Sequence, residues 1–481
     1  MLRKRITTFI VAFLFTTFFI AAATLAIFFA QGRKLDITEG VIQTSIINLN
    51  SLPDEVNVFV NDKRVDRVDG RIENLDPGTI KLRVEKDGYT TWEKDVVLQA
   101  GVVKDINVQL FPNNLDLSAL TVSNIDKAVF TKDSEYIFYS VLNETNPGDK
   151  GIWKLKLSRN ILNLTENKPV KILPIENDKA IELKTSDYVI KVSRDNSRFL
   201  IFSPSLQLLE VYDANTGRIV EIQNILNSFP SQVDWFNGSS ALVFDVNNLI
   251  YEYDIGSKQL TIVTFNSDSD PIYAVSSSRI IYFNKVNSKY YSYKNKGSTE
   301  LELFTQNINA INPSRILLSD SNEDVIAILG VNKSLTFFDE AKLYQAAFQD
   351  IDLVVNINNP LTEYVLVKGS DMYALYLEPT VDNKSYNATL SNLKTTTTGV
   401  VYSTILENSN SITFIKKLDN ISSTLTIMDK DGENLKDFFN DERLSVNPIA
   451  ISPNGSELYL VLHEKSGESV VDNLYKLILL K

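Results

Sequence analysis

Residues 193–217 read SRDNSRFLIFSPSLQLLEVYDANTG. A polar turn, Ser193-Arg194-Asp195-Asn196, leads into an apolar run that begins at Phe199. After a second turn comes the alternating strand Val211-Tyr212-Asp213, closed by a turn ending at Gly217. Outward from this unit the same order recurs. Runs of three or more apolar residues, each after a polar turn, begin at Tyr136, Phe199, Leu242, Ile280, Val325, Tyr364, Val400 and Leu458. Their spacings are 63, 43, 38, 45, 39, 36 and 58, so five cluster near 40, and the two long ones flank them with room for an insertion. A period of about 40–50 residues built only of strands predicts a β-propeller with one four-stranded blade per repeat.

The alternating strand recurs as Tyr251-Glu252-Tyr253-Asp254 before Gly256 and as Leu425-Thr426-Ile427-Met428-Asp429 before Gly432. Tyr291 to Lys294 and Thr336 to Asp339 hold the equivalent place, and all five are expected to be third strands. The lead-in turns at Thr131 to Ser134, Ser193 to Asn196 and Ser452 to Gly455 resemble the S-P-D-G turn of bacterial surface propellers. Eight repeats over residues 117–481 give about 46 residues each and seven about 52. Eight blades are favoured, with seven the alternative. A propeller with two free sheet edges invites aberrant pairing. Residues 117–122 are therefore expected to complete a last blade formed with the apolar strand Leu474 to Leu480. Helical periodicity does not recur; 338–349 is the best candidate, and it is short.

Residues 52–112 show a different texture. Val56, Val58 and Val60 alternate with polar residues before Asn61-Asp62, and Ile72 and Leu75 precede Asp76-Pro77-Gly78. Ile80, Leu82 and Val84 alternate again before Lys86-Asp87-Gly88-Tyr89. A further strand runs from Trp92 to Leu98, Ala100-Gly101 turns, and Val103 to Leu110 ends before Pro112. Short alternating segments bounded by Gly, Pro, Asn and Asp predict a small antiparallel sandwich. In the order of its turns and its closing Leu110-Phe111-Pro112, the stretch resembles the PEGA domain, a small bacterial β-module; the namesake Pro-Glu-Gly-Ala run is absent. The resemblance implies a surface or envelope module that contacts cell-wall or S-layer material, and no enzymatic activity; a plain spacer is the alternative. Tyr89 and Trp92 are candidates for stacking on sugar rings, or for filling the sandwich core.

At the other extreme, Ile6 opens and Ala30 closes a stretch of 25 residues without a charge, preceded by Arg3, Lys4 and Arg5. At 1.5 Å per residue such a helix spans roughly 37 Å, enough to cross a bilayer with some tilt. Ala21-Ala22-Ala23 offers a signal-peptide cleavage site, but the apolar run continues past it through Phe29, which favours an uncleaved signal-anchor. Five threonines inside the run can bond back to helix carbonyls. The basic N-terminal flank favours a cytoplasmic N-terminus and an extracytoplasmic bulk. The expected all-β architecture is thus a transmembrane helix over 1–34, a PEGA-like sandwich over 35–112 and a seven- or eight-bladed propeller over 113–481.

The formal charge is −12, and the first thirty residues hold three basic and no acidic side chains, so 31–481 carry −15. That field repels phosphate backbones, which excludes nucleic acid as an expected partner and holds the folded part off anionic headgroups. Cysteine is absent, so export requires no oxidative folding. N-x-S/T sequons occur at Asn143, Asn163, Asn237, Asn332, Asn387 and Asn420 among others, and matter only in a glycosylating host.

Histidine occurs once, at His463, so multi-imidazole zinc sites are impossible within the chain and any Ser-His-Asp triad would need this residue. Its surroundings read as a solvated hairpin tip. Acidic clusters at 268–270, 320–324 and 429–433 lack the spacing of an EF-hand and read as blade turns. The 20 tyrosines and 25 phenylalanines line a ligand groove or build blade packing, with packing favoured. No catalytic, cofactor or metal residue is assigned and no cofactor is expected. The expected function is binding or scaffolding at the cell envelope, with a protein or cell-wall glycan as ligand and the membrane held through Ile6 to Ala30. A glycan-acting propeller enzyme using two carboxylates of the central face is the alternative, and a pure spacer is a third reading.

Overall fold

A computed structural model describes residues 13–20, 22–23, 33–36, 40–122, 124–142, 147–157, 168–220, 222, 228–265, 271–294, 301–303, 312–318, 325–339, 344–356, 363–369, 371–380, 386–396, 400–405, 411–417, 423–429, 432–444, 449–452, 456–466 and 469–479. The fold is all-β. The chain divides into two compact units. Among the described residues one unit spans 13–114 and the other 115–479.

In the large unit the described strands form eight four-stranded antiparallel sheets. Seven follow chain order strand by strand; the eighth has the order Asp116–Ala119, Ser469–Ile478, Glu457–Ser466, Ala450–Ile451. The strand nearest the small domain thus completes the sheet nearest the C-terminus, with Leu117 opposite Leu477 and Ala119 opposite Tyr475. This is the closure expected from residues 117–122.

Side chains explain why the repeat reads as continuous apolar runs. On the second strand of the second sheet, Phe199 and Ile201 pack toward the first sheet with Phe138 and Ile152. Their neighbours Leu200 and Phe202 pack toward the third with Trp235 and Leu242. A strand buried on both faces loses its period-two signal. Equivalent shared clusters join the third sheet to the fourth, the fourth to the fifth, the fifth to the sixth and the sixth to the seventh. Leu444, three residues past the last strand of the seventh sheet, bridges Leu462 of the eighth, and the eighth packs on the first through Tyr459, Val461 and Leu474. The sheets therefore close into a ring of eight blades.

Six of the eight marked runs up to Tyr364 are second strands, and the run at Leu458 is another. The run at Val400 is instead a first strand, Val400–Ile405, and the second strand of that blade is Ser411–Lys417. That misplacement produced the uneven spacings 36 and 58. The long first spacing holds the helix Asn177–Thr185, which the sequence did not signal; its Ala180 and Leu183 bury against the first two blades. The candidate helix at 338–349 is absent from the described residues, since Leu335–Asp339 and Tyr344–Phe348 are paired strands. All five expected third strands are third strands.

The small unit packs two sheets, Arg71–Leu75/Ser45–Leu52/Val103–Gln109 and Lys63–Val65/Asn57–Val60/Gly78–Glu85/Trp92–Leu98, around one apolar cluster. It departs from the expected antiparallel sandwich in one respect: Ser45–Leu52 and Val103–Gln109 run parallel. Parallel neighbours need a long crossover, and the whole second sheet supplies it. Asn61 and Asp62 both take positive φ, 48° and 63°, as a tight hairpin requires. Ahead of the sandwich a further hairpin pairs Arg33–Asp36 with Gly40–Gln43, so strand begins inside the segment assigned to the anchor.

Most of the stretch from Ile6 to Ala30 lies outside the described residues. Of those described, 13–20 are helical; Phe13, Phe15, Phe18 and Phe19 are 62–70% exposed, and Thr17 Oγ1 donates to the Phe13 carbonyl at 2.8 Å. Among the described residues no helix is long and apolar enough to cross a membrane.

Candidate functional site

Strand alternation in the small domain sends Ile47, Leu49, Ile106 and Val108 into the core and leaves Asn48, Asn50, Asp105 and Asn107 on the outer face. The parallel register sets these opposite each other. Asn48 Nδ2 donates to Asp105 Oδ1 at 2.8 Å, and Asn50 Nδ2 donates to Asn107 Oδ1 at 3.0 Å. A row of exposed amides and one carboxylate results, with acceptor lone pairs and amide hydrogens left over.

Beside the row a groove of about 510 Å³ is walled by Asn50, Asn107, Asp54, Arg67 and Asp69. Arg67 fixes its wall: Nη1 donates to Ser51 Oγ at 2.9 Å and to the Leu49 carbonyl at 3.3 Å, and Nη2 donates to the Asp54 carbonyl. The turn at Asp69 and Gly70, both at positive φ, lies against the same strand through Leu49 N–H to the Gly70 carbonyl at 2.7 Å. Further along the strand Gln109 is 3% exposed, and neither its amide nitrogen nor its oxygen is hydrogen-bonded among the described residues. Tyr89 and Trp92 are not part of this surface. Trp92 is in the core, which removes it as a sugar-stacking residue, and half-buried Tyr89 packs against that core.

In the ring, the aromatic residues build packing. Phe199 stacks on Tyr212 at 5.2 Å and Tyr282 on Tyr291 at 5.5 Å, and Tyr188, Tyr253, Tyr282 and Tyr364 are among the largest fully buried side chains. The lead-in turns share one clamp. Thr131, Ser193 and Ser452 accept through their hydroxyls from the N–H of Tyr136, Arg198 and Glu457 at 3.0, 2.9 and 2.9 Å. The same turns reach across blades: Asn196 Nδ2 donates to Asp133 Oδ2 at 2.7 Å, and Ser239 Oγ donates to Asp195 Oδ2 at 2.6 Å. Burial pushes the Asp195 carboxyl up, but bonds from Ser239, Ser193 and Ser197 outweigh it and hold the group below the usual carboxylate range.

His463 lies within the strand Glu457–Ser466, three residues before its end, and its Nδ1 meets Asp472 Oδ1 across the hairpin. The neighbouring side chains belong to ring closure. Asn473 Nδ2 donates to Glu464 Oε2 at 3.0 Å, while its Oδ1 accepts from Asn124 N–H at 3.3 Å and Thr121 Oγ1 at 3.4 Å. Tyr475 donates to Glu464, and burial followed by that carboxylate pushes the phenol up to about 12. Of the acidic clusters, 268–270 and 320–324 lie outside the described residues. In the third, Asp429 accepts from Asn434 Nδ2 at 2.8 Å and serves a turn. Among the described residues no group of three or more His, Cys, Asp or Glu side chains could hold a metal ion.

Residues 44–114 match the PEGA domain family. No curated protein matches the chain in sequence. Among solved structures it is similar to the WD40 domain of SCAP from fission yeast, at 12% identity and TM-score 0.47, covering 76% of this chain and 94% of that one. It is also similar to the Dos1 propeller, at 11% identity and TM-score 0.43, covering 76% and 94%. Hsv2 of Kluyveromyces lactis is similar at 10% identity and TM-score 0.41, covering 73% and 97%. Such likeness concerns the fold alone; the eight-bladed ring rests on the strand order and closure described above.

Proposed function

We propose that this chain is a single-pass protein of the bacterial cell envelope, whose PEGA domain and propeller form a binding or scaffolding platform outside the cytoplasmic membrane. The observation that carries the binding role is the amide row of Asn48, Asn50, Asp105 and Asn107 beside the Arg67-walled groove. Neighbouring hydroxyl and acetamido groups of a glycan chain match alternating donors and acceptors on a rigid strand pair, which makes cell-wall glycan the favoured ligand. An envelope protein is the competing ligand. The anchor reading rests on the uncharged run from Ile6 to Ala30 and on its basic flank.

The test uses the full chain in detergent, incubated with isolated cell-wall material, with the supernatant assayed for released saccharide. Wild type should sediment with the wall, and the double variant Asn50→Ala/Asn107→Ala should lose retention by about tenfold or more. Equal retention of both proteins would remove the amide row from the site. Saccharide release would replace the binding reading with the glycan-acting enzyme.

A further inference from the structure

The end of the small domain where the chain enters from the N-terminal run exposes a group of apolar side chains along its rim. Val97, Val102 and Val103 are 58%, 47% and 54% exposed, and Pro77 and Ala100 are exposed beside them. The pairing of Gly78 with Leu98 puts Pro77 at the same end of the sheet as the turn 99–102. Lys104, the cation next to the rim, turns back to donate to the Val97 carbonyl at 3.1 Å, laying its stem across the patch.

The chain path ties this rim to residue 30. Arg33, three residues past Ala30, pairs with Gln43 across the hairpin. Gln43 lies against Gly101, where an added Cβ would fall 2.2 Å from its amide nitrogen; Gly101 N–H donates to the Thr44 carbonyl at 3.0 Å. Three residues reach about 10 Å at most, and one strand spacing adds about 5 Å. The turn 99–102 is therefore held within about 15–20 Å of the end of the apolar run, while the headgroup region extends about 6 Å beyond the hydrocarbon.

We propose that this rim docks on the membrane surface, with Val102 and Val103 entering the headgroup layer of the bilayer that the run from Ile6 to Ala30 crosses. The proposal rests on the anchor reading of that run. Asp76, Thr79, Gln99 and Lys104 are also exposed at this end, so the apolar contact is confined to Val97, Val102, Val103, Pro77 and Ala100.

The chain has no cysteine, so one introduced thiol takes one label. Val102→Cys and, at the turn at the far end of the same sheet, Asp87→Cys would each carry an environment-sensitive fluorophore. The full chain is reconstituted in phosphatidylcholine vesicles with and without brominated acyl chains. Co-flotation after a high-salt and alkaline wash reports the anchor. The expected result is a blue shift and at least twofold quenching by bromolipid at position 102, with neither at 87. Co-flotation with positions 102 and 87 behaving alike would overturn the docking while leaving the anchor intact. A blue shift at 102 without bromolipid quenching would assign the rim to a second copy of the chain and also overturn it. Failure to float would overturn the anchor reading and the docking together.

Discussion

The two units hide their sheets in opposite ways. The small domain has one cluster, from Ile47 to Leu110, and each strand gives one face to it and one to the outside. The ring shares its clusters between neighbours, so a second strand such as 198–203 is buried on both faces. A sheet with a free face can carry an ordered row of polar side chains there; a blade spends that face on the next blade. Recognition by strand side chains is therefore available to the small domain, and in the ring it is left to turns and edges.

The largest effect that tests this contrast is in the small core. Trp92 is 6% exposed within the single cluster, and Trp92→Ala should cost about 3–5 kcal/mol. That is comparable to the whole stability of a domain of this size. Hydrogen exchange should show residues 45–109 losing protection while 116–478 keep theirs. Simultaneous loss in both units would mean that they do not fold independently.

A smaller loss is expected where the ring closes. Asn473 is 3% exposed and serves Glu464, Thr121 and the Asn124 N–H at once. Asn473→Leu takes the acceptor from the Asn124 N–H and the Thr121 hydroxyl and one of the donors from Glu464, which keeps Tyr475, and should cost about 1–3 kcal/mol. Because the first and eighth blades share Leu474 with Tyr139 and Val461, protection should fall first at 116–119 and 125–141. Uniform loss around the ring would instead make closure no weaker than any other joint.

These two sites also mark what the chain's own pattern discloses. The blades were legible because double burial writes uninterrupted apolar runs, and the closing strand because Leu474 to Leu480 needs a partner. The Val400 run misled because its blade's second strand, Ser411–Lys417, carries Ser, Thr and Lys among its apolar residues. The helix Asn177–Thr185 buries only Ala180 and Leu183 and so has too narrow a stripe to register. The amide row was not legible at all: Asn50 and Asn107 stand 57 residues apart and meet only through a parallel pairing that no local pattern reports.

Gln109 sharpens the contrast from the other side. It sits on the same strand as Asn107, yet it is buried with both amide atoms unpaired among the described residues. Gln109→Met keeps the length and removes the unmet polar groups, so thermal unfolding should show the small domain stabilised by about 1 kcal/mol. A loss of stability would reveal a hydrogen-bond partner for the amide. A gain in stability accompanied by lost wall retention would extend the binding row to position 109.

The smallest effect concerns charge at the ring's turns. Asp195 accepts from Ser193 Oγ at 2.7 Å, Ser197 Oγ at 2.8 Å and Ser239 Oγ at 2.6 Å, the last across a blade boundary. Burial alone would raise its pKa, and these bonds reverse the sign. A carboxyl depressed on folding contributes stability above the unfolded value of about 3.9, and that contribution disappears as pH falls through the depressed folded value. Asp195→Asn keeps the shape and removes the charge. The melting temperature of the ring should therefore fall in the variant at pH 7, and the gap to wild type should close as the pH drops below about 4. A gap that stays constant from pH 7 to pH 3 would show that hydrogen-bond geometry, and not the charge, joins the second blade to the third.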